Sequence, residues 1–408
     1  MRAYRLENPV QNYAWGSTEG LKDCLGIPNP EGKPVAELWI GAHPKAPSLV
    51  VLGQGRQRLD EMIQAEAESC LGPSAVGRFG PSLPFLLKAL SAGGPLSIQA
   101  HPSKRKAEKG YERENLAGIP LDAPERNYRD RNHKPEMVVA LTRFEGLFGF
   151  RPIAEIIENI RLLAPDNFQR YIGRLEKNPG RVELSVLFYS VISSDQSSKS
   201  EILGRVLERL PGLLARTDLE PARLEALRWM EKLRHIYPGD VGILAPALMN
   251  YMVLEPGEGL FVGAGELHAY LKGEALELMA SSDNVIRGAL TAKHVDVPEL
   301  LSVLSFDSGS PLPFRAKPGL PGEEDFPILT PDFRLSLLSP KGATIRRKAH
   351  GPELLLCASG KASFSNGGES FDLAKGEAAF IRADAGDWSL EGDARVWRAF
   401  LPEAEGGL

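Results

Sequence analysis

A mainly β fold interrupted by an α-helical insertion is the class that this 408-residue sequence predicts. Three observations carry it. Up to about Pro152, short apolar runs alternate with glycine- and proline-rich turns, the punctuation of a β-rich region. From Ile153 the apolar residues recur at helical spacing. Beyond Pro238 the short-run pattern returns and continues to the end of the chain.

In the first region, Pro84 to Leu90 and Met137 to Leu141 read as strands, and GAHPKAPS and SAGGPLSIQAHPS as turns. Lys104 to Asn115 is strongly charged and reads as a solvated helix or loop. Ile153, Ile156, Ile157 and Ile160 then mark one helix face. Ile202, Leu203, Val206, Leu207 and Leu210 mark a second. Leu224, Leu227, Met230 and Leu233 mark a third, with Pro221 in its first turn. Ser185 to Ser194 fits either a strand or a buried helix. Four prolines before Phe326, with Pro327 after it, make 306–327 an extended linker. The expected domains are therefore 1–152 with 237–305, a helical insertion at 153–236, the linker, and a small β unit at 328–408.

Pro256 to His268 matches Lys375 to Asp387 in frame: both read Gly-Glu, an apolar run and a small-residue turn. Two copies of one β-barrel unit would produce this echo, with Asp387 standing where His268 stands in the first copy.

The formal net charge of -5 gives no whole-chain field for nucleic acid or anionic lipid. The N-terminus lacks the pattern of a secretory leader, and no apolar run approaches the roughly 18 residues of a spanning helix. Cys24, Cys70 and Cys357 are scattered and odd in number. A disulfide framework and a thiolate metal site are both poorly supported, and a reducing cytoplasm is the expected setting. A small-molecule substrate and a monomeric chain are the expectations for partners.

One constellation carries chemistry. Gln99 and His101 stand two residues apart, so in a strand both point to one face. Glu136 opens the apolar run after Pro135, and His268 ends the first Gly-Glu unit. Two imidazoles, a carboxylate and an amide oxygen make a borderline nitrogen/oxygen set that suits zinc. Read from spacing alone, a hydrogen-bonded structural histidine competes with that interpretation.

Ser97-Ile98-Gln99-Ala100-His101-Pro102, Asn132-His133-Lys134-Pro135-Glu136 and Gly265-Glu266-Leu267-His268-Ala269-Tyr270 resemble, in order, the signature segments of type I mannose-6-phosphate isomerases. So do Tyr13-Ala14-Trp15-Gly16, Glu37 to Pro44, and Glu277 to Arg287 continuing through Lys293. The resemblance covers nearly three quarters of the chain. It implies two cupin barrels of jelly-roll type plus a helical domain. It also implies one zinc per chain on Gln99, His101, Glu136 and His268, with no metal in the second barrel. Gly263 departs from the proline found there in many cupin motifs, but no ligand is lost.

The implied reaction, between mannose 6-phosphate and fructose 6-phosphate, moves a proton between C1 and C2 through an enediol(ate). It needs a carbon base, a charge stabiliser and a grip on the phosphate. Arg287 suits charge stabilisation, and Lys293 and Ser97 suit the phosphate. Lys134 and Glu277 compete as base, with Asp283 behind them. Tyr270 and Trp15 are expected to line the pocket, and Trp39 and His43 to form wall and core. Two alternatives stay open at this level: a non-haem metal oxygenase, since two histidines and a carboxylate also form its facial triad, and a non-catalytic sugar-phosphate binder.

Overall fold

The computed structural model describes residues 2–163 and 169–402, and for 169–171 the backbone only. Strands dominate both ends and helices occupy the middle. Two antiparallel sheets of eleven strands each organise the described residues.

The first sheet runs, strand by strand, Phe314–Arg315, Glu258–Val262, Glu136–Ala140, His268–Ala280, Phe85–Ala92, Glu37–Ile40 and Val10–Gln11. It curls into a barrel through Ile98–Ala100, Phe144–Phe150, Met249–Leu254 and Ile286–Ala289. The second contains Glu323–Asp325, Arg334–Leu338, Asp387–Phe400, Glu353–Asn366 and Ala378–Ile381 in that order. Alternation along the strands divides the side chains. Met137, Val139, Leu276 and Leu278 of the first sheet meet Leu354, Leu356, Phe380 and Trp397 of the second in one shared core. Val138, Ala140, Leu260 and Val262 point the other way, into the first barrel.

The helices run from Ile153–Leu163 to Pro221–Ile236. Arg181–Ile192 is helical, which resolves the ambiguous Ser185–Ser194 stretch; its four buried side chains pack against other helices. Lys104–Leu116 is also a helix. The helical segment packs against the outer wall of the first barrel. Ile98, Ala100, Ala269 and Ile286, on the outer face of the barrel strands, belong to the helical core.

Two features cross the boundaries drawn from sequence. Ala3–Glu7 pairs with Ala378–Ile381, and Leu49–Leu52 and Gly55–Arg58 follow beyond it, so three strands of the first region extend the second sheet. The 306–327 stretch is no free tether: Phe314–Arg315 pairs with Glu258–Val262 of the first sheet, and Glu323–Asp325 with Arg334–Leu338 of the second. No described helix is long and apolar enough to cross a membrane.

The internal echo is physical. Gly257 and Gly376 both take a positive φ, 85° and 84°, which favours glycine. Their amides donate to Ala140 and Cys357 at 2.9 and 2.8 Å. Glu258 and Glu377 each accept a bond from the amide three residues earlier, at 3.0 and 2.8 Å. After that turn the copies slip by one residue. His268 is buried and faces the barrel interior, whereas Asp387 is exposed and Trp388 takes the buried place.

Candidate metal centre and substrate pocket

Strand pairing assembles the donors. His268, the first residue of its strand, stands across from Gln99, and Gln99 across from Arg287. Cross-strand partners share a face, so one row carries an imidazole, an amide and a guanidinium. His101, Glu136 and His268 are all buried, with ligand atoms within 4.8 Å of one another. His101 Nε2 lies 3.2 Å from Glu136 Oε1, and His268 Nε2 3.4 Å from Glu136 Oε2. The Gln99 amide nitrogen, Nε2, is 3.3 Å from His268 Nε2, so in this structure the amide nitrogen rather than the expected oxygen faces that imidazole.

The outer nitrogens of both imidazoles are occupied by carbonyls. His101 Nδ1 is 2.8 Å from the Asn284 oxygen, and His268 Nδ1 3.1 Å from the Glu266 oxygen. A proton on each Nδ1 leaves both Nε2 lone pairs directed at one point, the supporting arrangement of a metal-binding histidine. His101 Nε2 and Glu136 Oε1 are buried and make no well-aligned hydrogen bond despite their proximity. Of the two, Glu136 Oε1 has the Lys134 ammonium at 3.0 Å, whereas the His101 Nε2 lone pair has no donor; an unsatisfied buried polar atom is costly, and a cation between them would satisfy it. Burial, followed by the nearby Lys134, lowers the His101 pKa to about 4, so the imidazole is neutral and ready to ligate. Burial alone would raise Glu136, but the Lys134 ammonium beside it holds it well below the usual carboxylate range. The residues present therefore fit a divalent metal of zinc's preferences.

Beside this group lies a buried charge network. Lys134 Nζ is 3.0 Å from Glu136 Oε1. The Tyr270 hydroxyl is 3.0 Å from Glu277 Oε1 and 3.3 Å from Glu136 Oε2. Lys88 Nζ is 3.0 Å from Glu277 Oε2 and 3.7 Å from Glu37 Oε1, above the Trp39 ring. Trp39 Nε1 donates to Glu37 at 2.6 Å. Burial works against the Lys88 ammonium, but Glu277, Glu37 and Glu136 outweigh it and raise its pKa.

The mouth is cationic. Arg287 is held below the ordinary arginine value by burial and then by Arg129. Lys293 is lowered by burial, Arg287, Arg129 and Lys45. The fold thus gathers these cations in spite of their mutual repulsion. Among the described residues, no carboxylate pairs with Arg129, Arg287 or Lys293, and a cluster of unpaired cations is a place for an anion. Asn284, fully buried, fixes the cluster: its side-chain oxygen accepts from the Arg129 amide at 2.7 Å, while its carbonyl holds His101. Asp283 is ion-paired to Lys45 at 2.9 Å and lies 3.6 Å from His43.

The structure thus brings together Gln99, His101, Glu136, His268, Lys134, Tyr270 and Glu277, with Arg287 on the same row. Ser97 is half-buried immediately before the Gln99 strand. Trp15 stacks on Tyr13, and its carbonyl receives the Gly93 and Gly94 amides, so it shapes the rim rather than joining the metal group. Lys88, Glu37 and Arg129 were missed in sequence. A lone lysine inside the fully buried strand Phe85–Ala92 was the available signal.

Residues 3–153 match the phosphomannose isomerase type I catalytic domain, and residues 322–401 the mannose-6-phosphate isomerase cupin domain. The chain is 40% identical over 400 residues to the mannose-6-phosphate isomerase of Escherichia coli (strain K12), covering 97% of this chain and 99% of the relative. The human enzyme of that name is 38% identical over 326 residues, 76% of this chain and 74% of its own length. A solved mannose 6-phosphate isomerase from Salmonella typhimurium, bound to its substrate fructose 6-phosphate and to zinc, superposes with a TM-score of 0.89 at 38% identity. It covers 98% of this chain and 100% of that one.

Proposed function

The chain belongs to the type I phosphomannose isomerase family, and from that premise we propose that it interconverts D-mannose 6-phosphate and D-fructose 6-phosphate with one zinc ion per chain. The observation that carries this reading is the convergence of His101, Glu136 and His268 on one buried point, beside cations that have no carboxylate partner among the described residues and suit a phosphate.

Gln99, His101, Glu136 and His268 would hold the zinc. When bound, it supplies positive charge that orders the sugar oxygens and stabilises negative charge on them. Glu277 is the base for the carbon-bound proton. It is a carboxylate already balanced by Lys88, with the Tyr270 hydroxyl fixing its other oxygen. Lys134, paired with Glu136, and Arg287 face the charge that develops as the enediolate forms. Arg129, Lys293 and Ser97 grip the phosphate and so place the carbon against the base. Asp283, with Lys45 and His43 beside it, is at hand for the separate proton transfer that opens the ring.

A facial-triad oxygenase would have no use for Arg129, Arg287 and Lys293, which have no carboxylate partner among the described residues. The test is a coupled isomerase assay on purified protein before chelation, after it, and after zinc is restored. Activity that disappears and returns with zinc supports the reading. Sugar-phosphate turnover that is absent in the zinc-loaded protein, or unaffected by complete zinc removal, overturns it.

A further inference from the structure

We infer that Asp332, contributed by the C-terminal barrel, is a positioning residue for the isomerisation proposed above, acting through His133 on Lys134 and Glu136. The inference rests on that functional reading.

Asp332 lies in the second barrel, yet its Oδ1 is 3.0 Å from His133 Nε2. His133 immediately precedes Lys134-Pro135-Glu136. Carried back from the Glu136–Ala140 strand, alternation would put Lys134 and Glu136 on one side and His133 on the other. The observed contacts agree: Lys134 Nζ and Glu136 Oε1 meet at 3.0 Å in the first barrel, while His133 reaches out to the second. The imidazole therefore pins the segment from behind.

Asp332 is built as an anchor. Only 3% of it is exposed, and its other carboxylate oxygen is 2.5 Å from the Thr330 hydroxyl, itself buried. Burial would raise its pKa, but the contacts to His133 and Thr330 outweigh that and keep it ionised. The preceding residue is held from the opposite side. The Asn132 side chain accepts from Lys104 at 3.1 Å and donates to the Ser281 carbonyl at 3.2 Å, and its carbonyl receives the Asn284 amide at 2.8 Å. With Asp332 gone, the segment keeps the Asn132 restraint and loses the His133 one. It can then rotate about its axis, which moves Lys134 and Glu136 relative to the substrate. Catalytic groups displaced by about 1 Å lose large factors in rate without loss of binding.

The test compares zinc-loaded wild type, Asp332→Ala and Asp332→Asn. Asp332→Ala is expected to lower kcat by about tenfold or more with little change in KM, at unchanged zinc content. Asp332→Asn keeps an oxygen that can accept from His133 Nε2–H and is expected to recover most of kcat. Nitrogen chemical shifts of the His133 ring, recorded with and without zinc, should show one fixed tautomer in wild type and Asp332→Asn, and averaging in Asp332→Ala. Unchanged kcat in Asp332→Ala overturns the inference. So does an Asn variant as poor as the Ala variant, a ring signal that ignores the substitution, or a rate loss that only tracks lost zinc or lost fold. If wild type itself does not isomerise, the functional reading fails instead, and the ring signal still reports whether Asp332 holds His133.

Discussion

Arg287 stands directly across from Gln99, and Gln99 directly across from His268, so guanidinium, amide and imidazole rise from one face of three adjacent strands. Antiparallel neighbours set their side chains about 5 Å apart. Arg287 is thus delivered to the row of candidate metal ligands by backbone pairing, nineteen residues along the chain from His268, and among the described residues no carboxylate pairs with it.

That placement predicts a kinetic division of labour between Arg287 and Lys293. Arg287→Ala should lower kcat by about 10²–10³ with a smaller change in KM, because its charge matters most as the enediolate forms. Arg287→Lys should rescue little, since it loses the planar fork. Lys293→Ala should act mainly on KM. Steady-state kinetics with zinc content measured in each variant decides; near-normal kcat in Arg287→Ala would remove it from the chemical step.

The carbon base is tested by isotope exchange. Glu277→Gln keeps the shape and the Tyr270 contact but removes the basic oxygen. Loss of a general base typically costs about 10²–10⁴ in rate. Both isomerisation and deuterium incorporation from heavy water into the sugar carbon should collapse together in this variant. Incorporation at a wild-type rate would transfer the role to Lys134.

The metal assignment predicts one zinc per chain. His268→Ala removes one of two imidazoles aimed at the buried point, so it should abolish activity and sharply weaken zinc retention. His235→Ala should leave zinc in place, since His235 is exposed on the last helix of the insertion and contacts Glu231. Full zinc occupancy in His268→Ala would refute the assignment.

Much of this site was legible because local spacing carried it. The two-residue step from Gln99 to His101 needs only a strand, and the helical period from Ile153 needs only a helix. The Gly-Glu echo was legible because one turn geometry demands glycine at Gly257 and Gly376. What stayed hidden depends on register, which tertiary pairing sets. Lys88 is buried charge in an apolar run, and its meaning lies in Glu277, brought beside it by strand pairing. The Asp387 slip and the Ala3–Glu7 strand exchange are likewise invisible to spacing. Arg129 is tied to the pocket by its amide bond to Asn284, which is remote in sequence.

His43 gives a stability test with a definite sign. Burial, opposed by Asp283, lowers its pKa to about 4. The unfolded chain has the ordinary value of about 6.5, so between these values it binds a proton that the folded chain does not. Folding stability should therefore be full above about pH 7 and fall as pH drops toward 4, by roughly 2–3 kcal/mol from this group. Thermal melts of wild type and His43→Gln across that range should differ in slope, the variant being flatter. Parallel slopes would show that His43 titrates normally.

The second barrel places Arg398 where the first has Glu277. Five strands correspond in register. Val138 pairs with Glu277 as Leu355 pairs with Arg398. Glu277 pairs with Lys88 as Arg398 pairs with Ser336. Glu136 thereby corresponds to Glu353, and Glu37 to Glu323. In the first barrel the buried carboxylates are balanced by Lys88, Lys134 and a site for a metal. In the second, Arg398 meets Glu353 through two contacts of 2.7 and 2.8 Å and Glu323 at 3.1 Å. A fixed guanidinium thus supplies the positive charge, and the surrounding interior is packed with Leu355, Cys357, Phe364 and Val396. Arg398→Met should leave Glu353 buried without a counter-charge, a defect that typically costs about 3–5 kcal/mol. Arg398→Met/Glu353→Gln removes the orphaned charge and should recover much of that loss, while Glu323 keeps Arg347 at 2.8 Å in both variants. Urea denaturation of wild type, the single variant and the double variant reads this out as midpoints. A double variant no more stable than the single one would show that Arg398 is there for packing rather than for charge.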